Sequence, residues 1–438
     1  MGRGEGWRSL EGAALLSGTR FARLCSPMRC GCGSVGDAHT LHLQEKGETM
    51  QYRSHHGVLL SEIGIGCYGL SGAYGVRDVD RYIRTIRAAF ERGVTFFDTA
   101  EAYGQAEHVL GEAVAPFRRD VLVASKVGVR EGLEPNLSAG YIVGACERSL
   151  TQLGMEYIDL YQVHFDDPGT PVAETVEALE GLKKAGKIRA YGVGHIPADR
   201  VKEYLEIGGL FSVLVEMSAV SRDALKQVVP LCETAGTAVI AFSITGRGVL
   251  TGGITRETRF SEGDIRRIDP LFQRERFESA LRVADYFARI GAEYGRTGVQ
   301  IAIAWVLAQP RVVCALTGPS SVEHLDENLA ASGLTLDPAH LQEIADFLSE
   351  EDTLLVRQLG AATREILAKP NLGGEPTAFE DLVYAAESAI QLAWVTEEAI
   401  FPVFRDLFAL RGTSEGHGAR KALNEIQSRM ARIVRPAD

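Results

Sequence analysis

Strand-then-helix alternation, repeated eight times, limits what this chain can fold into more than any other feature. Short apolar runs stand at 63–66, 95–97, 121–125, 158–163, 188–193, 212–215, 238–242 and 312–316. Most are apolar throughout rather than alternating, as strands covered on both faces are. Helical patterns separate them at 78–91, 106–115, 139–153, 172–185, 198–207 and 223–235. A longer loop and helix (246–294) and a helix at 298–308 precede the eighth run, and a helix near 322–331 follows it. Gly93, Gly154, Gly186 and Gly236 stand where left-handed residues close helices. Eight units in about 270 residues predict an α/β fold of the (β/α)₈ barrel type. An open doubly wound sheet is the alternative. The barrel is favoured because polar residues at several strand ends would then converge on one face.

Four such residues form a chemical set: Asp98, Tyr103, Lys126 and His164. Tyr103 is a candidate general acid. Its phenol, with an ordinary pKa of about 10, is a weak donor near neutrality unless a cation assists it. Lys126 supplies that cation, and Asp98 would hold it in place. His164 can orient a carbonyl oxygen. The set can protonate that oxygen while hydride reaches the carbon, and the hydride must come from a cofactor. Singly, each residue has an ordinary reading: a strand-end cap, a turn, a solvated lysine, a core histidine. Together, on one barrel face, they favour catalysis.

Composition limits the partners. The net charge is −12 and the pI about 5.5, which argues against nucleic acid or an anionic membrane as partner. No apolar run approaches the roughly 18 residues a membrane span needs. The seven cysteines lack metal-ligand spacing, and Cys30-Gly31-Cys32 has the wrong gap for a zinc or redox motif. Reduced thiols in a cytoplasmic chain are expected. No metal is expected.

Three segments follow. Residues 1–49 read as an irregular, disordered leader. Lys46-Gly47-Glu48 can be encoded by a purine-rich run like a bacterial ribosome-binding site, so Met50 is the expected natural start. Residues 50–348 form the barrel, and residues 349–438 a helical extension. In the extension, Thr377-x-x-Glu380 predicts a capping box. Phe379, Leu382, Val383, Ala386, Ala389, Ile390 and Ala393 recur at helical spacing, and Phe401, Phe404, Leu407 and Phe408 form a second stripe after Pro402. A polar helix at 418–434 is expected on the surface. The stripes are expected to pack on the barrel or on a second copy; a lid over the barrel mouth is the sharper alternative.

The strings GIGCYGLSGAYG, GVTFFDTAEAYG, VLVASKVG, YIDLYQVHFDDP, GLKKAGKIRAYGVG, GRGVLTG, AIAWVLAQ and GPSSVEHLDENLAA resemble the aldo-keto reductases, in family order over about 51–348. The resemblance implies a barrel that reduces aldehydes, ketones or keto-sugars, or runs the reverse, with NADP(H) first and NAD(H) second. It assigns the tetrad to Asp98, Tyr103, Lys126 and His164. For the cofactor it implies Gly66 and Tyr68 in the first loop, and Ser243, Gly246, Arg247 and Leu250 around the pyrophosphate. Gly318, Ser320, His324, Glu327 and Asn328 would hold the adenosine end. The nicotinamide seat departs from the family: Gly194 and His195 replace Ser-Asn, Leu214 replaces Gln, and Met217 replaces an aromatic. Ser321 and His324 stand where two basic residues are usual. These departures motivate an alternative, a binding or regulatory subunit whose C-terminal helices dock a partner protein or a second copy.

Overall fold

Parity along each strand decides what faces the barrel interior, because successive side chains point to opposite sides. The computed structural model describes residues 50–75, 78–129, 135–410 and 417–435. The leader at 1–49 lies outside them, and with it the expectation of a start at Met50. A hairpin, β1 (Tyr52–His55) and β2 (Val58–Ser61), precedes the barrel. Its two-residue turn, His56-Gly57, has φ of +49° and +77°, the left-handed pair that suits a tight hairpin. The eight barrel strands are β3 (Ile63–Gly66), β4 (Phe96–Asp98), β5 (Leu122–Val127), β6 (Ile158–Val163), β7 (Ile188–Gly194), β8 (Ser212–Glu216), β9 (Ala238–Phe242) and β10 (Val312–Thr317). All pair in parallel, and β10 returns to β3 to close the barrel.

The interior cluster contains Phe96, Ala124, Leu160, Leu214 and Ile240. Leu60 of β2 joins it, so the hairpin packs against the barrel core, and it is the element the sequence pattern missed. The alternate residues Phe97, Val123, Tyr161 and Val213 belong to the outer core under the helices. The same parity places Asp98, Lys126 and Gln162 on the interior side.

Helices wrap the barrel: α1 (Val79–Glu91), α2 (Ala106–Val114), α3 (Ala139–Leu153), α4 (Val172–Lys184), α5 (Ala198–Ile207), α6 (Asp223–Gln227), α7 (Val229–Ala235), α8 (Arg274–Tyr294), α9 (Gly298–Leu307) and α10 (Val322–Leu329). The single helix expected at 223–235 is two, because Pro230 has no amide to continue the ladder. Gly111 is required where α2 meets α3: a Cβ there would lie 2.2 Å from the Leu153 carbonyl oxygen.

Four more helices follow: α11 (Pro338–Ala368), α12 (Ala378–Gln391), α13 (Glu397–Ala409) and α14 (His417–Ile433). Helix α11 runs through residue 348 without a break, starting beside the barrel and ending in a second apolar cluster. That cluster joins Leu359, Leu382, Ile400, Phe404, Leu407 and Met430. One expectation is corrected. Thr377 precedes α12 but forms no capping box; its backbone is not extended, and its hydroxyl turns to Asp381 at 3.4 Å. Helix α14 lies at the surface with one face turned inward: Leu423, Ile426 and Met430, at helical spacing, are buried. Phe401, expected in the second stripe, is 50% exposed, and the side chain of Phe408 lies outside the described residues.

Glu387, on α12, is buried, and neither of its carboxylate oxygens is hydrogen-bonded among the described residues. Burial pushes its pKa from 4.5 up to about 8; Arg276 opposes the rise and Asp269 adds to it. Between these values the folded chain holds a proton that the unfolded chain has released. The Glu387 contribution to stability therefore falls as pH rises from about 4.5 to about 8, by up to about 1.4 kcal/mol per unit. Glu387→Gln should raise the melting temperature more at about pH 8.5 than at about pH 5.5. Calorimetry at both values checks this, and an equal shift at the two would contradict it.

Candidate active site

Asp98 ends β4, Lys126 lies within β5, and His164 follows β6, so strand parity and register bring the three to one rim of the barrel. Tyr103 comes from the loop after β4. The Lys126 ammonium donates to Asp98 Oδ1 and, at 2.7 Å, to the Thr99 carbonyl. Gln162 donates to the other Asp98 oxygen at 3.1 Å. Sequence reasoning missed Gln162, although its place two residues before His164 on one strand was a usable signal. The Lys126 side chain is 1% exposed, and that carboxylate is its paired counter-charge.

The Lys126 ammonium lies 5.0 Å from the centre of the Tyr103 ring, and the Tyr103 hydroxyl lies 3.4 Å from His164 Nε2. Here one expectation is corrected. The phenol is not acidified in this state: burial pushes its pKa well above 10, and the Asp98 charge adds to the rise. Tyr103 is thus held protonated, as a proton donor must be. Burial, with Lys126 and His195 nearby, holds His164 well below 6.5 and therefore neutral. Among the described residues, buried His164 Nδ1 has no hydrogen-bond partner.

The tetrad borders a cavity of about 680 Å³. Of the residues expected to hold a cofactor, Gly66, Tyr68, His195, Leu214, Ser243, Arg247, Gly318, Ser320, His324, Glu327 and Asn328 line it. Gly194, Met217, Gly246 and Leu250 do not. Met217 and Leu250 are buried in the outer core. Gly246, at φ +57°, makes room for Val220, and Gly194 for Leu214. Missed residues include Tyr82, Phe242, Glu216, Ile254, Ile265 and Arg266. Ile254, Ile265 and Arg266 come from the long segment after β9, which has no regular pattern to place them. The cavity lining reaches no further along the chain than Asn328, so no described residue of α11–α14 lines it as a lid.

Next to His164, a wall of rings forms. The His195 ring lies 5.5 Å from His164, 5.0 Å from Phe165 and 4.6 Å from Phe242. His195 has φ +47°, and burial lowers its pKa to about 3, so it too is neutral. With Leu214, this wall suits a flat ring. At Ser243, Gly246, Arg247 and Gly248 the backbone is left-handed, a turn that brings backbone close to the cavity. Arg247 is bound by Glu216 (3.0 Å) and Asp269 (2.9 Å), and Arg266 by Asp264 (2.7 Å). A long cavity with a flat wall at the tetrad and a backbone turn beyond it fits a nicotinamide dinucleotide.

Asp98→Asn would leave a buried ammonium without its counter-charge. The expected cost is about 3–5 kcal/mol of stability, read by denaturant unfolding, and Lys126→Met in the same chain should recover part of it. A loss below about 1 kcal/mol would contradict the dependence.

Comparison with known proteins agrees with this geometry. The model of the Aldo/keto reductase family matches residues 62–349. An aldo-keto reductase of Bacillus subtilis is 32% identical, the alignment covering 68% of this chain and 94% of that protein. An NADH-specific methylglyoxal reductase of Escherichia coli is 33% identical over 66% of this chain and 96% of its own length. Among solved structures, a glycerol dehydrogenase from Gluconobacter oxydans superposes with a TM-score of 0.63 at 29% identity, covering 68% of this chain and 95% of that one. An eight-stranded parallel barrel, the family match and these relatives make the chain a member of the aldo-keto reductase family, NAD(P)-dependent oxidoreductases that act on carbonyl groups.

Proposed function

We propose that this chain reduces a small or medium aldehyde, ketone or keto-sugar to the alcohol, or runs the reverse, with Tyr103 as general acid. The observation that carries the reading is the placement of Tyr103 Oη and His164 Nε2, 3.4 Å apart at the cavity wall; with the His164 proton on Nε2, both are neutral donors. A carbonyl oxygen seated between them can accept from both. Bound cofactor supplies the hydride. As the oxygen gains negative charge, it becomes a far stronger base than a phenolate, so the Tyr103 proton moves to it. Lys126 then faces a forming phenolate and stabilises it, an attraction that is small while the phenol is neutral. Asp98 and Gln162 keep the ammonium in register. Tyr68, Tyr74 and Phe165 line the same cavity and would exclude water from a bound substrate.

For the cofactor we put NAD(H) ahead of NADP(H), reversing the order suggested by the sequence alone. Each cation lining the cavity is already matched: Lys126 by Asp98, Arg247 by Glu216 and Asp269, Arg266 by Asp264. Glu327 adds a further carboxylate at the far end, beside Ser320 and His324. A 2′-phosphate there would meet no uncommitted cation among the described lining residues. The 33%-identical relative named NADH-specific points the same way.

The alternative, a partner-docking subunit, has less support, since the inner faces of α11–α14 are spent on each other and on α8. Buried free thiols at Cys67, Cys146, Cys232 and Cys314 suit the proposed cytoplasmic location. No described helix is long and apolar enough to cross a membrane.

Tyr103→Phe should lower turnover with NADH and a carbonyl substrate by about 10³-fold or more while cofactor affinity stays within about threefold. Undiminished turnover would refute Tyr103 as the acid. In fluorescence titration NADPH should bind at least about tenfold more weakly than NADH. The opposite order would refute the charge argument.

A further inference from the structure

The segment from Ser243 to Gln273 supplies much of the cavity wall, yet apart from short 3-10 turns it carries no regular structure. Its position must come from its two ends and from side-chain ties. One end is β9. At the other end, Asp269 binds Arg247 at 2.9 Å and also accepts from the Leu271 amide at 2.9 Å, fixing the turn before α8. The chain then enters α8 through Arg274 at φ +46°, a conformation that a residue with a side chain seldom adopts. Such a residue persists only where its surroundings hold it.

What holds it is α12. Asp381, 1% exposed, forms an ion pair with Arg274, whose guanidinium lies 5.3 Å from the centre of the Tyr384 ring. The Tyr384 hydroxyl donates to Glu275. Arg276 donates twice to Gln391 Oε1, at 2.9 and 3.2 Å. Three successive residues at the start of α8 are thus each bound by one helix of the extension. Simple packing would not need this: an ion pair with one exposed partner, Arg274, and one buried partner, Asp381, adds little stability compared with apolar contact, but it fixes the register of α8 against α12.

Resting on the dinucleotide reading of the cavity, we propose that α12 is a clamp on the cofactor-facing segment 243–273. Asp381 and Tyr384 are its positioning residues, and they act through Arg274 and Asp269 on Arg247. The extension lies outside the family match at 62–349, so the clamp is an addition to the barrel rather than a part of it. It lets the cavity keep an irregular wall in one place without a lid.

Hydrogen exchange followed by mass spectrometry, on the full chain without ligand, tests the clamp. Arg274→Ala and Asp381→Asn should each speed exchange in 243–273 by about fivefold or more, with β4–β6 unchanged. The reciprocal pair Arg274→Asp with Asp381→Arg should restore protection. Arg289→Ala, which removes the α8 pair with Glu343 at 2.7 Å, should leave 243–273 unaffected. Unchanged exchange in the first two variants, or equal loosening in the Arg289 variant, overturns the clamp. NADH titration and kinetics then test its purpose. The Kd and KM for NADH should rise about tenfold with kcat within about twofold. Faster exchange with unaltered affinity overturns the link to Arg247. A wild-type chain that binds neither NADH nor NADPH refutes the dinucleotide reading instead, and the exchange result still decides the clamp.

Discussion

One buried ammonium organises the rim of the cavity. Lys126 cannot stay charged inside a barrel without a partner, and Asp98 and the Thr99 carbonyl are both within its reach. That need fixes the ends of β4 and β5 relative to each other and draws Gln162 of β6 onto the second Asp98 oxygen. It also sets the protonation of its neighbours. The lysine's charge helps keep His164 and His195 neutral, so both rings can sit against a substrate or a flat cofactor ring without cost in charge burial. Tyr103 keeps its proton because it is buried and the Asp98 charge nearby opposes a phenolate.

Charge matching recurs along the rest of the cavity. Arg247 meets two carboxylates and Arg266 one, so the wall offers shape and backbone rather than free cations. This gives the C-terminal extension a role that differs from that of a lid. It reaches the cavity only indirectly, through the start of α8 and the strained Arg274. An irregular wall needs an external support, and the extension is where that support lies.

Most of the barrel was legible because its signals are local. Continuous apolar runs and glycine stops mark eight strands and most helices to within a residue or two, as at 139–153 and 158–163. The hairpin at Tyr52–Ser61 was not, since its two short strands mix polar and apolar residues. The split at Pro230 was legible and went unread. Helix α14 looked polar because only one narrow stripe is buried. In the site, Met217 and Leu250 carried the right chain position but the wrong parity or depth, which position along a sequence does not reveal.

By itself the sequence determined the barrel, the family and the four residues whose chemistry is coherent, because hydrophobic period and strand-end placement are local properties of the chain. The tertiary structure alone decided the protonation of Tyr103, His164 and His195, the matching of every lining cation, and the attachment of α12 to α8. Each of these depends on distances between groups far apart in sequence and on how much water reaches them. Coulomb attraction and desolvation scale with that geometry, and no window of residues contains it.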